Sequence, residues 1–224
     1  MQVVVVGGHS RKIGKTSVMV GIIRGLNSLA WTAVKITHAA HGICSRDGDP
    51  SDCPRSAPAF VLTEEENRRG RGDTCRFLAA GAQRSLWLRV RQGQLAQALP
   101  SLFEALHSDD HVIIESNSIL SFLKPAVYVV VLDSSRRDFK TSARQFLEQA
   151  DALVPVGPRL NLRTWPDLNP QILASKRVFP VSARDHWNPE LCQFVRQRLE
   201  GTEAEIQVAD FAPSAPTKEQ PWRH

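Results

Sequence analysis

The sequence predicts an α/β protein built on a mostly parallel sheet of about seven strands. Three observations carry that expectation. The N-terminal run "QVVVV" (2–6) is continuous, apolar and β-branched, which suits a strand buried on both faces. Strand-like and helix-like segments then alternate along most of the chain, the pattern of βαβ units. With 224 residues, 42% of them hydrophobic, the chain is long enough for one sizeable core.

The elements follow in order. Residues 15–27 carry Val18, Ile22, Ile23 and Leu26 at helical spacing. "WTAVKIT" (31–37) reads as a second strand. Residues 38–72 have little periodicity and are rich in Gly, Pro, Ser, Asp and Arg, so they read as a long functional or unfolded insert. "DTCRFLAAGA" (73–82) is a short helix with Asp73 as N-cap and Gly81 as stop. Strands are expected at 84–90, 111–116, 126–133, 152–156 and 177–182. Helices are expected at 94–107, with a kink or break at Pro100, and at 141–150 and 188–200. Asn188 is a good N-cap there, and Pro189 suits the first helical position. One domain over 1–200 accounts for all of this, and residues 201–224 read as a flexible polar tail.

The first strand runs into "GGHSRKIGKTS" (7–17) and then a helix. Gly14-Lys15-Thr16 in that context marks a phosphate-binding loop, a Walker A motif. The usual spacing asks for glycine at position 9, where this chain has His9. Such a loop wraps an anion with backbone N–H groups at the positive end of a helix. The cradle is expected from Gly8, His9, Ser10, Arg11, Lys12, Ile13 and Gly14, followed by Lys15, Thr16 and Ser17. Lys15 would reach the β- and γ-phosphates, and the Thr16 hydroxyl would ligate Mg²⁺. The site also needs a carboxylate at the end of a neighbouring strand. "HVIIES" supplies Glu115, as a Mg²⁺ partner or to orient an attacking water, and Asp133 is a weaker candidate. The predicted catalytic pair is Lys15 and Glu115.

Several segments occur together in one order: "GKTS", "VKITHAAHG", "DTCRFLAAGAQRSLWL", and "VIIES" before "KPAVYVVV". Over roughly residues 2–133 this resembles the MobB-like P-loop NTPases, adaptor proteins of molybdopterin-guanine dinucleotide biosynthesis. The chain departs from that family at His9, at Glu115-Ser116 where the family has Glu-Gly, and in its longer insert. The resemblance implies a three-layer, SIMIBI-like P-loop fold that binds GTP or ATP with Mg²⁺ and hydrolyses it slowly. It also implies dimerisation and a partner enzyme of molybdenum cofactor biosynthesis. Asp73, in the "DTCRFLAAGA" segment, joins the nucleotide-site candidates. So do Ser182 and Ala183, because many P-loop GTPases contact the base through a strand ending in Ser-Ala.

The insert holds His38, His41, Cys44 and Cys53, four nitrogen and sulfur ligands of a kind Zn²⁺ accepts, though not at the spacing of a standard finger. Two other functions fit the same residues. One is a small-molecule kinase or ATP-dependent ligase, and the other is a Cys/His-loop module for a metal or protein partner. The charge of +5 comes from 28 Lys and Arg against 23 Asp and Glu, a mild excess without a recognisable nucleic-acid module. No apolar run approaches the roughly 20 residues of a membrane span, and the first residues lack a signal peptide, so a cytoplasmic location is expected.

Overall fold

The computed structural model describes residues 1–39, 58–157 and 160–201. Among the described residues, eight strands form one sheet in the order β3-β4-β2-β5-β1-β6-β7-β8. They are β1 (Gln2–Gly8), β2 (Trp31–Ala39), β3 (Phe60–Glu64), β4 (Arg84–Arg91), β5 (His111–Glu115), β6 (Val127–Leu132), β7 (Ala152–Pro155) and β8 (Arg177–Val178). Every pairing is parallel except β3 with β4. The helices are α1 (Lys15–Gly25), α2 (Asp73–Ala80), α3 (Leu95–Leu106), α4 (Thr141–Phe146), α5 (Pro170–Ala174) and α6 (Pro189–Glu200).

The alternation of side chains along β1 divides the core into two layers. Val3 and Val5 pack with Leu99, Leu102 and Leu106 of α3, while Val4 and Val6 pack with Val18, Ile22 and Ile23 of α1. The sheet is therefore covered on both faces, and the fold has three layers. This places β1 centrally, bonded to β5 on one side and β6 on the other.

All seven expected strands are present, and β3 is an eighth. It lies inside the stretch read from sequence as an unbroken insert. Only five residues long and ending in Glu64, it is a short, charged edge strand of the kind that blunts an exposed sheet edge. Glu64 accepts two hydrogen bonds from the Arg84 guanidinium, which also reaches Asp109 at 2.9 Å. Those carboxylates push the Arg84 pKa further up.

Three further expectations are corrected. Pro100 neither ends nor breaks α3, because Leu95, Leu99, Leu102 and Leu106 on either side of it are all buried and hold the helix to the sheet. Gly72, in extended conformation, caps α2, while Asp73 begins the helix and its carboxylate turns to Lys35 instead. The strand expected over 177–182 is regular for two residues only, since Pro180 lacks an N–H. The N–H groups of Phe179 and Val181 still donate to Leu153 and Pro155 of β7. The 201–224 expectation lies, beyond residue 201, outside the described residues.

Gly81 does stop α2, with φ 113° and bonds from Gly81 and Ala82 back to Leu78 and Phe77. Asn188 caps α6: its Oδ1 accepts from Glu190 and Leu191 N–H at 2.8 and 3.1 Å, and its Nδ2 donates to Pro180. Asn188→Ala should lower unfolding stability by about 1 kcal/mol. A urea midpoint indistinguishable from the parent would refute the cap's contribution.

Candidate functional site

The chain leaves the C-terminal end of β1 at Gly8 and turns through Ser10–Gly14 into α1. Asn117, just past β5, braces the exit. Its Oδ1 accepts from Gly8 N–H at 2.9 Å and its Nδ2 donates to Gly8 C=O at 3.0 Å. Positive φ occurs at Lys12 (55°) and Gly14 (91°), not at His9. A side chain at position 9 therefore carries no backbone penalty, and the glycine requirement falls on Gly14. A Cβ at Gly14 would also lie 2.5 Å from Nε2 of His186.

His9 is fully buried and its ring is wholly engaged. The Asp133 N–H donates to Nε2 at 3.0 Å, so Nδ1 carries the proton and donates to the Asp138 carbonyl at 2.8 Å. Burial lowers the His9 pKa, in keeping with the neutral tautomer those bonds require. The ring is packed against Phe139 and Trp165, with centroids 5.2 and 4.7 Å away. The His9 carbonyl accepts from Lys140 N–H, and the Ser10 hydroxyl donates to the Asp138 carboxylate. His9 and Ser10 thus fasten the segment 133–140 to the loop. Asp133 uses its own carboxylate to accept from Ser135 N–H.

At the helix end of the loop, Thr16 donates to Glu115 at 2.7 Å, and both are buried. Glu115 reaches this point because β5 pairs in register with β1, opposite Val6. Lys35 on β2 lies in register with Glu115 from the other side. Its ammonium sits 3.3 Å from Glu115 and forms an ion pair with Asp73. Asp73 is also 3.5 Å from Arg76, which donates to the Ser17 hydroxyl. Four residues from four elements therefore converge as Thr16, Glu115, Lys35 and Asp73.

Lys15 donates to the Ser10 carbonyl at 2.7 Å, folded back over its own loop. Burial is the main reason its pKa falls to about 8, and the neighbouring Lys140 and Lys35 lower it further against the pull of Glu115. An anion beside Lys15 outweighs both effects by its own charge and raises the pKa again. Binding of an anion therefore takes up a proton wherever free Lys15 is deprotonated, that is, at and above pH 8. Uptake should rise from about 0.1 proton at pH 7 to about 0.9 at pH 9, and affinity should fall as pH rises through 8. Calorimetry of nucleotide binding in two buffers of different ionisation heat measures this, and no buffer dependence at pH 9 would contradict it.

The remaining sequence candidates are placed as follows. Ile13 is buried in the core layer on the α1 face, so only its backbone is available to a ligand. Arg11, Lys12 and Ala183 are exposed. The Ser182 hydroxyl donates to Asp185 at 2.7 Å and accepts from the N–H groups of Arg184 and Asp185, closing a small turn. That turn carries His186 onto Gly14 and Gly21, and beyond it Trp187 and Cys192 pack on Gly25. His38 bonds to Ser118 at 2.7 Å. His41, Cys44 and Cys53, the other three zinc candidates, lie outside the described residues. Among the described residues no group of three His, Cys, Asp or Glu could hold a metal ion, and no helix is long and apolar enough to cross a membrane.

A central strand, a glycine turn with its Lys-Thr at a helix N-terminus, and a carboxylate on the adjacent strand now stand together. The arrangement is that of a P-loop fold. No family model and no curated protein matches the chain. Among solved structures it is similar to HypB from Helicobacter pylori in complex with nickel, at 13% identity and a TM-score of 0.49 over 88% of this chain and 86% of that one. It is similar to the "apo" form of LpxK from Aquifex aeolicus in complex with ATP, at 15% and 0.44 over 80% of this chain. That match spans 53% of LpxK, about half its length. It is also similar to MobB from Bacillus subtilis, at 19% and 0.41 over 90% of this chain and all of that one. These likenesses concern the outline of the chain; the chemistry of the loop rests on its own residues.

Lys35, Lys140, Asn117 and His186 were not singled out from sequence. Lys35 lay within the quoted strand "VKITHAAHG", and the strand order that sets it beside Glu115 is what gives it a role.

Proposed function

We propose that the chain binds a nucleoside triphosphate with Mg²⁺ at the loop Gly8–Thr16 and hydrolyses it slowly. The observation that carries this is the buried Thr16–Glu115 contact beside a lysine whose burial leaves it short of a counter-charge. The loop N–H groups and the N-terminus of α1 would take the phosphates, with Lys15 moving from the Ser10 carbonyl to the β- and γ-oxygens. Thr16, Glu115 and Asp73 offer hard oxygen donors, the set Mg²⁺ prefers, and the Lys35 ammonium already lies between the two carboxylates as a cation there. Those residues fit the ion, which when bound would offset charge on the phosphate oxygens.

One oxygen of the Glu115 carboxylate, Oε2, accepts from both Thr16 and Lys35. Its place beside the Lys35 ammonium suits holding a cation, and with no base yet set on a water this supports slow turnover. Slow turnover suits a nucleotide-dependent adaptor, and the MobB-like order of sequence segments supports a place beside a molybdenum cofactor enzyme. The turn Ser182–His186, lying on Gly14, supports a base site there for GTP or ATP.

Calorimetric titration of the protein with GTP and with ATP, in Mg²⁺ and again in EDTA, tests the proposal. Micromolar binding of one of them that weakens in EDTA is expected. Failure of both to bind in Mg²⁺ would sink it.

A further inference from the structure

The segment that His9 fastens to the loop ends in Lys140. Four bonds hold it there: Lys140 N–H to the His9 carbonyl, the His9 ring to Asp138 and from Asp133, and the Ser10 hydroxyl to Asp138. A glycine at position 9 could supply only the first of the three His9 bonds. The residue that breaks the usual loop pattern is therefore the one that attaches this segment.

The Lys140 side chain is half-buried. Among the described residues nothing hydrogen-bonds or ion-pairs with its ammonium. Asp138, the nearest carboxylate in sequence, is turned to Ser10. The charged and titratable groups that share its field are Lys15 and Arg11 of the loop, Glu115 of β5, His38 of β2 and Asp138. Glu115 is already shared by Thr16 and Lys35. Burial and Arg11 both push the Lys140 pKa down, as they would for a cation awaiting an anion. A half-buried ammonium beside Lys15 and Arg11, with the nearby carboxylates of Asp138 and Glu115 already bonded elsewhere, gains when a ligand supplies negative charge. Of the groups around it, Lys15 and Glu115 are the ones proposed above to meet the β- and γ-phosphates and Mg²⁺.

We propose that Lys140 is a second phosphate-contacting lysine, delivered by the His9 clamp, and that it selects nucleoside triphosphate over diphosphate by contacting the terminal phosphate. This rests on the nucleotide reading of the loop. Lys15 serves both nucleotides through the β-phosphate, whereas Lys140 serves only the one with a third phosphate.

The test is titration of the full chain with GTP, GDP, ATP and ADP in Mg²⁺, for the parent protein, Lys140→Ala, Lys140→Arg and Lys15→Ala. For Lys140→Ala, triphosphate affinity should fall about tenfold while diphosphate affinity stays within about twofold. Lys140→Arg should keep the preference, and Lys15→Ala should lose affinity for both. His9→Gly, which restores the usual loop residue, should reproduce the selective loss. Equal loss of triphosphate and diphosphate in Lys140→Ala, or no change in either, overturns the proposal. A parent protein that binds none of the four overturns the nucleotide reading itself, and this inference with it.

Discussion

Lys15→Ala is expected to weaken nucleoside triphosphate binding by about 100-fold while leaving the fold at least as stable as before. The two halves have one cause. Lys15 is held with its ammonium largely out of water, near Lys35 and Lys140, and its pKa drops to about 8. Relative to an ordinary lysine, keeping it charged at neutral pH costs the folded chain about 3 kcal/mol. The sign follows from the direction of the shift. The unfolded chain binds this proton more tightly, so the penalty is complete below pH 8 and fades as pH rises toward the unfolded value near 10.5. Alanine removes the penalty at the loss of one bond to the Ser10 carbonyl. In the bound state the same ammonium would meet phosphate oxygens through charge-assisted hydrogen bonds, and about 3 kcal/mol lost there is about 100-fold in affinity. Thermal unfolding and titration together decide the matter. A melting temperature that falls alongside affinity would assign Lys15 a structural role instead.

The second large effect is on the fold. Trp31→Ala should destabilise the protein by about 3–5 kcal/mol, a major share of the roughly 5–15 kcal/mol a domain of this kind possesses. Trp31 opens β2, is fully buried, and meets the His111 ring edge-on at 5.9 Å. Its indole N–H donates to the Leu26 carbonyl at 3.0 Å, which fixes the end of α1 against the start of β2. Trp31→Phe should cost much less, because the Leu26 carbonyl still accepts from Leu29 N–H. Urea denaturation of the two variants checks both values; similar midpoints would show that burial of the aromatic ring contributes little and would refute the ranking.

The strand, turn and helix that place Gly14, Lys15 and Thr16 were legible because their logic is local, the pieces being contiguous in sequence. Glu115 was legible by one further rule, that the strand beside the loop strand ends in a carboxylate. Lys35 and Lys140 were not, since each gains its meaning from strand order or from a tether 124–131 residues away in sequence, and no local pattern encodes that. His9 was visible as a departure, but its purpose depends on Phe139, Trp165 and the backbone of 133–140, all distant in sequence. The edge strand β3 escaped because five residues ending in a carboxylate, amid Pro and Arg, show too little alternation to separate from loop.

The contact of α1 with residues 186–192 has a consequence for synthesis. Gly21 and Cys192 are 171 residues apart, yet the Cys192 thiol faces the Gly21 carbonyl, and His186 closes on Gly14. At translation rates of roughly 5–20 residues per second, about 10–30 s separate the emergence of the two partners. Throughout that interval the loop sequence is out of the ribosome but lacks the wall that supports it. The loop gains that wall only once residues 186–192 have emerged, so its full support marks a chain synthesised through α6.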